Sequence, residues 1–145
     1  MTDLQMIQQK EERLRYYEKL LIQVNDNADE TKKTINKKED AYNRAVSNMN
    51  STLSNIFSCT SQLRNNSSGI DDMNCMDYLV KVVSNDVNSA LKQQEAATQE
   101  YKTKMRNELQ NLYDSLDVLN NKANTYTLTI SRLKEEIRLL KQNME

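Results

Sequence analysis

The side chains most often recruited for chemistry are few in this chain and poorly grouped. There is no histidine, which removes the commonest general base, nucleophile partner and zinc ligand together. The carboxylate pairs Glu11–Glu12 and Glu135–Glu136 are adjacent in sequence. On a helix, adjacent residues diverge by about 100°, so neither pair makes a catalytic dyad. Cys59 and Cys75 are the only cysteines, and two thiols without histidine do not complete a zinc site. Lys32, Lys33, Lys37 and Lys38 form the densest basic cluster, but Asp29, Glu30, Glu39 and Asp40 bracket it. That mixture reads as a solvated helix face rather than a phosphate site. No glycine-rich phosphate loop or activated nucleophile is recognisable, and a long helical chain offers no concave architecture for a substrate. The expectation is a non-enzymatic protein with no catalytic residue, no metal and no cofactor.

The charge balance narrows the partners. The 145 residues carry 20 basic and 21 acidic side chains, a net charge of -1. That is no electrostatic footprint for nucleic acid or for an anionic membrane surface. No run approaches the roughly 18 apolar residues of a membrane span, so no membrane insertion is expected. Residues 1–12 lack the basic start and apolar run of a cleavable secretory signal. A protein cytoplasmic as synthesised is expected, with export by a route needing no cleaved signal left open.

The elements that would position these side chains are helices. The chain has no Pro, no Trp and one glycine, Gly69, and 6% of its residues are aromatic. Little punctuates it in the way strands and hairpins require. From residue 4 to residue 63 one row of a 4,3 pattern is apolar at every step: Ile7, Leu14, Leu21, Ala28, Ile35, Tyr42, Met49, Ile56 and Leu63. Its companion row is read as Leu4, Glu11, Glu18, Asn25, Lys32, Glu39, Val46, Leu53 and Thr60, polar at five successive steps. Thr2 and Gln5 have capping-box spacing, placing a helix start near residue 3. Asn65-Asn66-Ser67-Ser68-Gly69 gathers turn-forming residues, and Asp71 or Asp72 can cap a second helix.

Beyond that break, apolar residues return at Met76, Val80, Val83, Val87, Ala90 and Leu91, then at Ala97, Tyr101 and Met105, where successive steps of four predict a stutter. Leu109, Leu112, Leu116, Leu119, Ala123, Tyr126, Ile130, Leu133, Ile137, Leu140 and Met144 then occupy every seam position. The fold class predicted is all-α: one domain over 1–145, a long antiparallel two-helix hairpin with arms 3–64 and 73–144 and a hinge at 65–72. At 1.5 Å per residue it would be on the order of 100 Å long. Glu11–Arg15, Asp29–Lys33, Asp40–Arg44 and Glu100–Lys104 have the spacing of surface ion pairs.

Folding near Gly69 lays residues 109–130 beside residues 8–29, setting a continuous apolar row against one interrupted by Glu11, Glu18 and Asn25. Apolar surface is left over, and Leu109, Leu112, Leu116, Leu119, Tyr126, Ile130 and Leu133 are the candidate contacts for helices of a protein partner. The same stripe would serve a homodimer, as in a self-associating tether or cytoskeletal rod. A third course is a monomer that shields its seam with Tyr16, Tyr17, Ile22 and Val24. Nearer the hinge both arms are apolar, with Ala41, Tyr42, Ala45, Val46, Met49, Leu53, Ile56, Phe57 and Leu63 facing Met73, Met76, Leu79, Val80, Val83 and Val87, and are expected to form structural core. Cys59 and Cys75 flank the hinge at similar distances. Two buried free thiols are expected, with a disulfide as the alternative, because helix axes 8–10 Å apart do not ensure the Cβ approach it needs.

A two-helix hairpin with a central turn and no cleavable signal resembles the small helical proteins of Gram-positive type VII secretion. Tyr113-Asp114-Ser115-Leu116-Asp117 fits the Tyr-x-x-x-Asp/Glu pattern of their export signals, with Tyr113 and Asp117 on one helical face. The turn, Ser67-Ser68-Gly69, departs from the Trp-x-Gly hairpins, since the chain has no Trp. The closer likeness is to the helical proteins that accompany LXG toxins. That resemblance implies an adaptor, targeting factor or chaperone that binds the N-terminal helical region of a larger secreted toxin. It would do so alone or with a second small helical protein, and would help present the complex for secretion.

Overall fold

The computed structural model describes residues 1–67 and 73–145, with side chains described for all of these except 63–64, 66–67 and 73–79. Two helices, α1 (Asp3–Ser67) and α2 (Met73–Met144), pack against each other as an all-α hairpin, with no strand among the described residues. The start of α1 is the expected capping box. The Thr2 amide donates to Gln5 Oε1 at 3.0 Å, and the Gln5 amide donates to Thr2 Oγ1 at 3.2 Å. Two of the donors that a helix N-terminus leaves orphaned are thereby satisfied. At the other end, Asn65, Asn66 and Ser67 extend α1 three residues past the expected boundary. Their helix propensity is only a few tenths of a kcal/mol below that of most residues, too little to stop a helix already under way. The rest of the expected hinge, residues 68–72, lies outside the described residues.

The chain divides into two compact units, one of Met1–Lys37 with Gln110–Glu145 and one of Lys38–Leu109. In the first, Ile7, Val24, Ala28, Ile35, Ile130, Leu133 and Ile137 are buried, and Leu133 is the most completely covered at 2% exposure. Burying aliphatic side chains of this size stabilises a fold by roughly 1.5–3 kcal/mol each. The antiparallel register is set by Lys10 against Glu136, 2.6 Å between Nζ and Oε2, and by the rings of Tyr17 and Tyr126, 5.9 Å apart.

That register corrects the companion row of α1. The row facing α2 beside Ile7, Leu14, Leu21, Ala28 and Ile35 is Lys10, Tyr17, Val24 and Thr31, not Leu4, Glu11, Glu18 and Asn25. Leu4 is 55% exposed, and Asn25 and Lys32 are exposed too. The reason is that a lysine can occupy a seam position. The Lys10 side chain is only 25% exposed, its stem lying along the interface while its ammonium group reaches Glu136. Of the residues expected to shield the seam, Tyr17 and Val24 do so, whereas Tyr16 and Ile22 are 59% and 61% exposed.

In the second unit, Tyr42 and Tyr101 stack with ring centroids 6.1 Å apart, and Lys38 Nζ donates to Glu108 Oε2 at 3.2 Å. Lys38 is thus an interfacial lysine, while Lys32, Lys33 and Lys37 are exposed. Among the described residues the buried side chains are Ser84, Leu91 and Thr98. The seam of α2 therefore runs through Ser84, Val87, Leu91, Gln94, Thr98, Tyr101 and Met105. Ala90 and Ala97 are exposed, so the expected stutter shortens to the steps Tyr101–Met105–Leu109. Thr98 can be buried because its hydroxyl donates to the Gln94 carbonyl at 2.8 Å.

Of the expected hinge-side core, Tyr42, Ala45, Val46, Met49, Leu53, Ile56, Val80 and Val87 are half-buried. Ala41, Phe57 and Val83 are exposed. The side chains of Leu63, Met73, Met76 and Leu79 lie outside those described. So does that of Cys75, while Cys59 is a free thiol but exposed where burial was expected, because the half-buried face of α1 passes through Ile56 and Thr60 instead.

Candidate partner-binding seam

The seven residues singled out on the second arm divide by burial. Ile130 and Leu133 are buried at 7% and 2% exposure and belong to the hairpin's own interface. Leu109, Leu112, Leu116, Leu119 and Tyr126 are half-buried. Counting antiparallel from the Tyr17–Tyr126 contact places Val24 opposite Leu119, and Ala28 and Thr31 opposite Leu116 and Leu112. Val24 and Ala28 sink beneath the leucines, at 8% and 5% exposure, but are too short to wrap their flanks. The unequal cover thus comes from side-chain size, where the sequence suggested polarity at Glu11, Glu18 and Asn25.

Aromatic rings continue this seam to the outside. Tyr17 meets Tyr126 inside and Tyr16 edge-on, with centroids 5.5 Å apart and an interplanar angle of 73°. This edge-to-face geometry is favourable for aromatic pairs. Elsewhere on α2, Val118 is 53% exposed. Leucine flanks, a valine and a tyrosine ring thus lie open to solvent in one unit.

Charged groups frame the apolar row. Glu11 meets Lys141 at 2.9 Å and Glu18 meets Lys134 at 4.0 Å, both across the helices. These replace the expected role of Glu11 toward Arg15, and Arg44 donates to the Asp40 backbone carbonyl rather than to its carboxylate. Exposed pairs like these add little stability individually but fix orientation and register. Glu136 is held below the usual carboxylate value of 4.5 by its hydrogen bond from Lys10 and by the charges of Lys10, Arg132 and Arg13. Its neighbour Glu135 is lowered by a separate hydrogen bond from Arg138, so the two adjacent carboxylates serve different partners.

Tyr113, 42% exposed, and Asp117, also exposed, lie four residues apart on α2. Where the sequence suggested no concavity, the second unit has an open groove of about 380 Å³ between Ile56, Cys59, Thr60, Val83 and Val87, edged by Thr52 and Asn55. Among the described residues no charged side chain lines it. Among the described residues there is no group of three or more His, Cys, Asp or Glu placed to hold a metal ion. No helix among them is long and apolar enough to cross a membrane. No protein-family model, curated protein or solved structure matches the chain.

Proposed function

We propose that this protein is a non-enzymatic helical adaptor whose half-open leucine seam packs against helices of a larger protein partner. The observation that carries the proposal is the incomplete cover of Leu112, Leu116, Leu119, Ala123 and Tyr126, five successive seam positions, beside a stretch of the same arm where Ile130, Leu133 and Ile137 are buried. A third helix laid over these flanks would bury apolar surface already aligned at helical spacing, the recognition mode of a helix in a groove. The partner we propose follows from the resemblance to accessory factors of type VII-secreted LXG toxins: the helical N-terminal region of such a toxin, with or without a second small helical protein. Tyr113 and Asp117 would then stand as an export motif on the same helix.

Co-expression with such a helical region tests this. The wild-type chain should co-purify with it, and Leu116→Asp should not, while keeping its helical circular dichroism. Co-purification of Leu116→Asp at wild-type yield would contradict the reading. A stable homodimer of the purified chain, lost in Leu116→Asp, would instead make the protein a self-associating tether or rod.

A further inference from the structure

We propose that the hairpin is fastened through its chain termini and opens elsewhere: residues 38–62 separate from residues 80–109 while residues 1–37 and 110–145 stay zipped. Three observations point the same way. The first is the chemistry of the buried layers. In the terminal unit they are aliphatic, with Ile7, Val24, Ala28, Ile35, Ile130, Leu133 and Ile137. In the other unit the buried side chains among the described residues are Ser84, Leu91 and Thr98, at heptad spacing on α2, so two of the three carry a hydroxyl, and the apolar side chains Met49, Leu53 and Ile56 of α1 are only half-buried. A buried hydroxyl satisfied within its own helix, as Thr98 is by the Gln94 carbonyl, adds no apolar transfer energy and no bond between helices.

The second observation is packing. The groove between Ile56, Thr60, Val83 and Val87 leaves one side of that seam without partner atoms, which forfeits dispersion contacts. The third is the distribution of interhelical ion pairs among the described residues. Lys10–Glu136, Glu18–Lys134 and Glu11–Lys141 tie the terminal unit, against Lys38–Glu108 in the other.

This order is the reverse of ordinary fraying, in which chain ends open first. Closing the longest loop costs the most chain entropy, but that cost grows only with the logarithm of loop length, so a few aliphatic layers suffice to offset it. The hairpin can therefore expose residues 38–62 and 80–109 without losing its register, which the terminal unit keeps.

Native-state amide exchange on the intact chain tests this without reference to any partner. The median protection factor over residues 7–35 and 112–137 should exceed that over residues 42–62 and 80–105 by about fivefold or more. A smaller ratio, or the reverse order, overturns the proposal. Leu91→Ala supplies a second reading on the same scale. It should lower protection in 42–62 and 80–105 while changing the terminal unit by less than about twofold. An equal loss in both units would show a single cooperative hairpin and overturn the proposal as well.

Discussion

At Glu136 the charges of both helices converge: Lys10 donates to Oε2 at 2.6 Å, and Arg132 approaches Oε1 at 3.9 Å from one turn earlier. This carboxyl is held below 4.5 in the folded chain, so folding is coupled to its ionisation. A carboxyl with a depressed folded value contributes stability that is complete above 4.5 and is lost as pH falls through the lower folded value. With no histidine, no side chain of ordinary pKa changes charge between about pH 5 and 8. Thermal midpoints followed by circular dichroism should therefore be nearly level across that range and fall on further acidification, with a shallower acid limb in Glu136→Gln. A midpoint that falls between pH 7 and 5 would contradict this. Lys10 itself shows what pattern reading misses. Counted as a charge it leaves the seam, yet its four-carbon stem is part of the seam, and that one assignment shifts the first half of the companion row of α1, while Val46, Leu53 and Thr60 of the expected row are half-buried.

On the scale of the helix, local signals were legible where a few neighbouring residues decide the outcome. Thr2 and Gln5 make the capping box that their spacing announces, because the motif needs nothing from the rest of the fold. Thr2→Ala should accordingly speed amide exchange over residues 3–6 and leave the remainder of α1 unchanged, as read by NMR. The seam of α2 from Leu109 to Ile137 was equally legible, since every position in its row is apolar. Between Ser84 and Thr98 it was not. Alanines at 90 and 97 look like seam residues by composition, but the helix follows its heptad through a serine and a threonine instead. Burial also decides what a leucine in the seam is worth. Leu133→Ala removes a fully covered side chain and should cost about 2–5 kcal/mol in urea unfolding, whereas Leu116→Ala, at an incompletely covered position, should cost clearly less. Equal costs would mean that Leu116 is as enclosed as Leu133.

Taken as a molecule, the hairpin is a short inventory put to one use. An apolar row too large for the side chains opposite is held in register by lysine–glutamate pairs, leaving leucine flanks and tyrosine rings accessible at Leu112–Tyr126. The identity of the proposed partner was not legible from this pattern, because a helix-in-groove surface would specify the shape and spacing of what it receives rather than its chemistry. The measurement that tests the account most directly is the affinity of the purified chain for the helical N-terminal region of an LXG toxin, compared among wild type, Leu116→Asp and Leu128→Asp. Leu128 is 72% exposed and off the seam, so it controls for a charge introduced elsewhere on α2. The account predicts a loss of about 100-fold or more at Leu116, equivalent to two decades at about 1.4 kcal/mol each, and less than about threefold at Leu128. Wild-type affinity in Leu116→Asp, or equal losses in both variants, would contradict it.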